Sequence, residues 1–177
     1  DKINFGRKKI DISPSELSYS IISQIESLEI IADSYGLELN HIKAHGALYN
    51  QMIIDAELSN FYLDTIKDFK NKCSLYIPYK SEIEKIALKK GFSIIYEVFG
   101  DRNYNDDLSL VSRNNKDALI TDPESVVDHI KTIKETESVK TINGNYKKIK
   151  FDTICIHSDT NNSIEILKKI NQEFDES

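Results

Sequence analysis

The sequence predicts an α/β protein built on a parallel sheet, and three observations predict it. Short apolar runs alternate with longer segments of helical periodicity along most of the chain. That alternation implies right-handed crossovers and a sheet covered on its faces. Three of the helical segments open on cap signals: Ser13-Pro14-Ser15-Glu16, Ser81 with Glu84, and Asp122-Pro123. Finally, polar residues gather where apolar runs end, and in parallel sheets and barrels ligands bind at those tips.

Taken in order, Ser13 is an N-cap, Pro14 fits the first helical position and Glu16 completes a capping box. Leu17, Ile21, Ile25, Leu28, Ile31 and Tyr35 then recur at helical spacing until Gly36. Residues 38–45 read as a strand and 47–70 as a single helix. Cys73–Tyr79 reads as a strand, and Ser81 with Glu84 opens a helix that Gly91 ends. Phe92–Phe99 is the next strand, followed by a polar loop over 100–117. Asp122-Pro123 opens a helix to about Glu135. Residues 139–150 form a hairpin about Asn143-Gly144. Phe151–His157 is the last strand, and 161–174 the last helix. The chain opens on a helix and supplies about four main strands, few for a closed barrel.

A length of 177 residues fits a single domain over 1–177. The net charge of −6 argues against nucleic-acid and anionic-membrane binding, which need a basic face. No apolar run approaches the roughly 18 residues of a membrane span. Cys73 and Cys155 sit in apolar runs and read as buried thiols of a reducing cytoplasm. No CxxC pattern suggests a metal site.

The segment His41-Ile42-Lys43-Ala44-His45-Gly46-Ala47-Leu48-Tyr49-Asn50 is the most informative. Period 2 puts Lys43 and His45 on one side of a strand. A buried Lys needs a partner or a ligand anion. Glu97 follows an apolar run and shares a face with Phe99, with Asp101 beyond in register. A Lys43–Glu97 ion pair is the structural alternative to a ligand for both. His157 and Asp159 share a face at the last tip, where Asp159 or Thr160 could simply cap a helix. Arg102 and Arg113 lie in one loop and could hold an anion. His41 and His129 receive no role. No Walker or GxGxxG motif is present.

Together these segments resemble the LamB/YcsF family. The family's V-K-P-H-G-A-L-Y-N is matched by Ile42-Lys43-Ala44-His45-Gly46-Ala47-Leu48-Tyr49-Asn50. Its E-V-F-A-D-R-x-Y and D-G-x-L-V-x-R are matched by Glu97-Val98-Phe99-Gly100-Asp101-Arg102-Asn103-Tyr104 and Asp107-Leu108-Ser109-Leu110-Val111-Ser112-Arg113. Its D-T-I-C-V-H-G-D is matched by Asp152-Thr153-Ile154-Cys155-Ile156-His157-Ser158-Asp159, and its G-F-G-R-R by Asn4-Phe5-Gly6-Arg7-Lys8. Ala44 stands where the family has Pro. Leu108, Asp117 and Ser158 replace customary glycines. If those glycines serve a positive φ, the loop differs here. The family's N-terminal segments with G-E-G, G-x-H-x-G-D and G-A-H-P are not in this sequence, so the chain resembles the C-terminal majority of the domain.

The resemblance implies a parallel β/α barrel of the seven-stranded deacetylase-like type, here without its N-terminal strands. It implies the A-type subunit of an ATP-dependent 5-oxoprolinase, opening 5-oxo-L-proline to L-glutamate with partner subunits B and C. ATP is the co-substrate, Mg could accompany it, and a homo-oligomer is allowed. Lys43, His45, Glu97, Asp101 and His157 are the expected catalytic set, converging in one pocket. Asn50, Arg102, Tyr104, Arg113 and Asp159 are the expected substrate or nucleotide contacts. The competing expectations are a truncated, non-catalytic binding module and a metal-dependent amide hydrolase.

Overall fold

The computed structural model describes Asp1 and residues 3–174. The chain forms two compact units, Asp1–Ile95 and Tyr96–Ser177.

In the first unit, α1 spans Pro14–Ser34 and opens as expected. Ser13 Oγ accepts from Glu16 N, and the Glu16 carboxylate accepts from Ser13 N, completing the box. Strand β1 is only His41–Ile42, far shorter than 38–45. It pairs in parallel with β2 (Ser74–Ile77), and the ladder stops at Ile42↔Leu75. Beyond it the backbone turns toward a different partner. Gly6 O accepts from Ala47 N at 2.7 Å, and Gly46 adopts φ 62°. A Cβ on Gly46 would lie 2.3 Å from Gly6 O, so only glycine fits this approach.

The helix expected over 47–70 is broken into α2 (Gly46–Gln51), α3 (Ala56–Thr65) and a 3-10 turn at Lys67–Phe69. Asp55 causes the first break, because its side chain caps α3 by accepting from Leu58 N. Apolar periodicity carries across such a break unchanged, since both helices face one core. Pro78 follows β2 and could not have donated to a ladder. Helix α4 spans Glu82–Lys90 and ends on Gly91 at φ 73°. Its cap is half a box: Ser81 Oγ accepts from Glu84 N, while the Glu84 carboxylate takes Lys80 N instead. Met52, Tyr62, Leu63, Ile66, Leu75 and Ile83 form the centre of this unit's core.

Strand β3 covers Ile94–Phe99 and leads into the second unit. There it pairs in parallel with β6 (Thr153–Cys155), from Glu97↔Thr153 to Phe99↔Cys155. Helix α5 (Pro123–Thr136) is capped by Asp122, and α6 spans Ser163–Phe174. Val126, Ile130 and Ile166 bury the seam between them. The hairpin is β4 (Ser138–Lys140) with β5 (Tyr146–Lys148), antiparallel as expected. The parallel α/β class therefore stands, with strands shorter than their apolar runs. Cys73 is buried just outside β2, but Cys155 is only half-buried. Among the described residues no helix is long and apolar enough to cross a membrane.

Candidate functional site

The centre of the second unit is Asp101, the residue two beyond the end of β3. Its side chain is fully enclosed. Gly100 packs closely here, since a Cβ on it would lie 2.8 Å from the side-chain tip of Ile156, Cδ1. A buried carboxylate needs donors, and Asp101 has several. His157 Nδ1 lies 3.0 and 3.1 Å from its two oxygens, and His157 N donates to Oδ2 at 3.0 Å. Thr160 Oγ1 donates to the same Oδ2 at 2.5 Å. Burial would raise the Asp101 carboxyl, but the donors from His157 and Thr160 outweigh it and hold it below its ordinary value.

The His157 ring is fixed from a second side. It stacks on Phe99 with centroids 5.2 Å apart and planes 10° apart. Its side chain remains 25% accessible while that of Asp101 is not accessible at all. With Asp101 ionised, a neutral imidazole keeps its proton on Nδ1 and leaves Nε2 as the basic nitrogen. A ring held in this way can accept a proton at Nε2.

The polar loop after Asp101 is fastened rather than loose. Arg102 is buried, and its guanidinium donates to Val111 O at 2.7 Å and Ala118 O at 3.3 Å. Burial and the nearby Arg113 charge both lower its affinity for its proton. Tyr104 is buried too, and its hydroxyl accepts from Phe99 N at 2.8 Å. Both hold backbone groups around the loop through these bonds. Arg113 is partly exposed and sits 3.5 Å from Asp159. Asp159 therefore faces an arginine, and the Thr160 hydroxyl donates to Asp101. Glu97 is buried within β3.

Leu108 keeps a φ of 68°, the left-handed backbone that the family's glycine would supply. Asp117 and Ser158 are not among the positive-φ residues, so the other two lost glycines leave the backbone unconstrained.

In the first unit, Lys43 is half-buried and His45 is exposed, because β1 ends before them. The Lys43 Nζ lies 6.0 Å from the Tyr49 ring centre. Lys43 and His45 both line a cavity of about 580 Å³, with Lys8 and Lys9 also on its wall and Ile21, Ile42 and Leu48 beneath. That size suits a drug-sized or nucleotide-sized ligand. Its lysines are the right chemistry for phosphate oxygens. Asn50 is exposed on α2. The expected site residues are therefore divided between two units: Lys43, His45 and Asn50 in one, and the rest in the other.

Among the described residues no three His, Cys, Asp or Glu side chains gather as metal ligands would. Mg bound with ATP requires no such cage, since it is held mainly by phosphates, water and a carboxylate or two. Thr160 and Phe99 were missed as site residues. The signal for Phe99 was its place two residues before Asp101. Thr160 carried none beyond lying just past the last tip.

Comparison with known proteins agrees with the motifs. The LamB/YcsF family model matches residues 1–177. The A-type subunit of 5-oxoprolinase from Pyrococcus abyssi is 35% identical over 176 residues, covering 99% of this chain and 69% of the relative. Its counterpart of the same name from Campylobacter jejuni serotype O:2 is 38% identical over 175 residues, covering 98% and 68%. A crystal structure of a lactam utilization protein from Thermus thermophilus superposes with a TM-score of 0.89 at 28% identity, covering 99% of this chain and 70% of that one.

Proposed function

The chain belongs to the LamB/YcsF family, and from that premise we propose that it serves as the A-type subunit of an ATP-dependent 5-oxoprolinase. It opens 5-oxo-L-proline to L-glutamate together with partner subunits B and C. The naming of its relatives as one subunit of an enzyme supports the partners. The observation that carries the chemistry is the ring of His157 held by a fully buried Asp101.

A lactam amide is a poor electrophile, and ATP supplies the phosphoryl group that activates its oxygen. Water then adds to the ring carbon, and His157 Nε2 takes the proton that water loses. Asp101 steadies the imidazolium that results. As the C–N bond breaks, the ring returns that proton to the departing nitrogen. A second water hydrolyses the acyl phosphate left behind, releasing glutamate and phosphate. Lys43 balances phosphate or oxyanion charge, and His45 moves protons beside it. Glu97, buried in β3, is the further carboxylate of the proposed set. Arg113, with Asp159 beside it, grips the substrate carboxylate.

The test is glutamate formation from 5-oxoproline and ATP with the partner subunits present. His157→Ala and Lys43→Ala are each expected to lower kcat by about 100-fold or more while the thermal melt is retained. A His157→Ala variant that turns over at the parent rate removes the proposed base. A Lys43→Ala variant that loses its cooperative melt, yet keeps activity per folded molecule, makes Lys43 structural.

A further inference from the structure

We propose that Thr160 is a positioning residue for His157, acting through Asp101; this rests on the reading of His157 as the base. The argument begins with what a buried carboxylate can do. Asp101 has two oxygens and no access to water. With only the His157 ring as donor, the carboxylate could rotate about its own bond and offer either oxygen. Two further donors prevent that. His157 N and Thr160 Oγ1 both reach Oδ2, at 3.0 and 2.5 Å. They pin one oxygen from one side, which fixes the plane in which the ring nitrogen must lie.

Thr160 is suited to this by its own surroundings. It is 3% exposed, so its hydroxyl has no competing water. Its backbone N donates to His157 O at 3.2 Å, and its carbonyl accepts from Ser163 N at 3.1 Å. The turn that carries the hydroxyl is thereby tied at one end to His157 and at the other to the start of α6. Asp101, His157 and Thr160 form a closed loop of bonds, with the ring clamped on its face by Phe99 at 5.2 Å. A residue serving only as a helix cap would direct its oxygen at a backbone N–H of α6. Thr160 instead donates to a side chain 59 positions away.

The variant that isolates the hydroxyl is Thr160→Val, which keeps the shape. Two readouts follow it. One is NMR of the His157 ring in the folded chain, assigned by its loss in His157→Gln: the Nδ1–H tautomer and the solvent exchange of that proton. The other is the split of kcat against KM in the reaction with partner subunits and ATP. Thr160→Val should speed exchange of the Nδ1 proton about tenfold. It should lower kcat about tenfold and leave KM within about twofold, because ground-state binding does not involve this bond. Thr160→Ser keeps the hydroxyl and should restore both readouts. If the valine variant does not fold, Thr160→Ala takes its place in the same comparison. Parent-like exchange and kcat in the variant lacking the hydroxyl overturn the inference, as does a Thr160→Ser variant that folds but behaves like valine. If His157→Gln itself turns over normally, the base assignment fails. The exchange measurement then still decides whether Thr160 holds the ring.

Discussion

His129 received no role from the sequence, and its surroundings give it one in stability. It is buried in α5, hydrogen-bonded to the Phe99 backbone and stacked on Tyr104 with centroids 6.2 Å apart. Burial is the main cause that lowers it to about 4 from 6.5, against smaller opposing effects from the Phe99 bond and the Asp101 charge. The unfolded chain therefore binds this proton first as pH falls. Stability should be full above about pH 6.5, decline between 6.5 and 4, and level off below as far as this group is concerned. The decline is on the order of 3 kcal/mol by the usual conversion of pH units. Denaturant midpoints at pH 7 and pH 4.5 check it: His129→Gln should lose distinctly less stability between them than the parent. Equal losses would assign the acid sensitivity to other groups. Asp101 lies in the opposite class, with its carboxyl held low, so its contribution is present above about pH 4 and fades only in stronger acid.

Among the elements, the loop after β3 is the most instructive. It is clasped to the hairpin through Asp106, whose carboxylate accepts from Thr141 at 2.6 Å, Asn143 at 3.0 Å and Asn145 at 3.1 Å. Those donors lower it to about 2. Within the loop, Leu108 N bonds Asn105 O and Leu108 occupies the left-handed region. A non-glycine residue pays roughly 1–2 kcal/mol there. Glycine would relieve this and lose about 0.5–1 kcal/mol to unfolded-state freedom. Leu108→Gly should thus sit within about 0.5 kcal/mol of the parent or above it, whereas Asp117→Gly should fall by about 0.5–1 kcal/mol. Denaturant midpoints at constant slope decide this, and a loss above about 1.5 kcal/mol at Leu108 would show that its side-chain packing dominates. The sequence disclosed where such elements begin, because Ser13, Ser81 and Asp122 cap locally. It did not disclose that Asp55 splits a helix, since apolar spacing is the same on both sides. Nor did it disclose where β1 stops, since that depends on Gly6, far before Gly46 in sequence. Asp101 and His157 were legible from their strand tips, but their bond was not, because 56 residues separate them.

At the scale of the whole molecule, charge and apolar surface act in opposite directions. The chain carries a net charge of −6, which keeps copies apart at low salt. Yet α1 leaves Leu28, Ile31 and Tyr35 exposed at 56%, 57% and 77%. Their spacing of three and four residues places them along one face of the helix. Ile30 and Leu37 add to the exposed apolar area nearby, at 70% and 62%. Scattered single residues would mean little, but a contiguous stripe favours association. Salt separates the two effects, because it screens charge repulsion within about 10 Å at 0.1 M and leaves apolar burial in place. The isolated chain should therefore self-associate at tens of micromolar, and more strongly as salt rises from roughly 50 to 500 mM. Sedimentation velocity across a dilution series measures this. Leu28→Lys with Ile31→Glu should return a concentration-independent monomer without lowering the melt of α1's core face, which Ile21 anchors. A parent chain that stays monomeric at both salt concentrations would show that the stripe is too weakly apolar to overcome the charge.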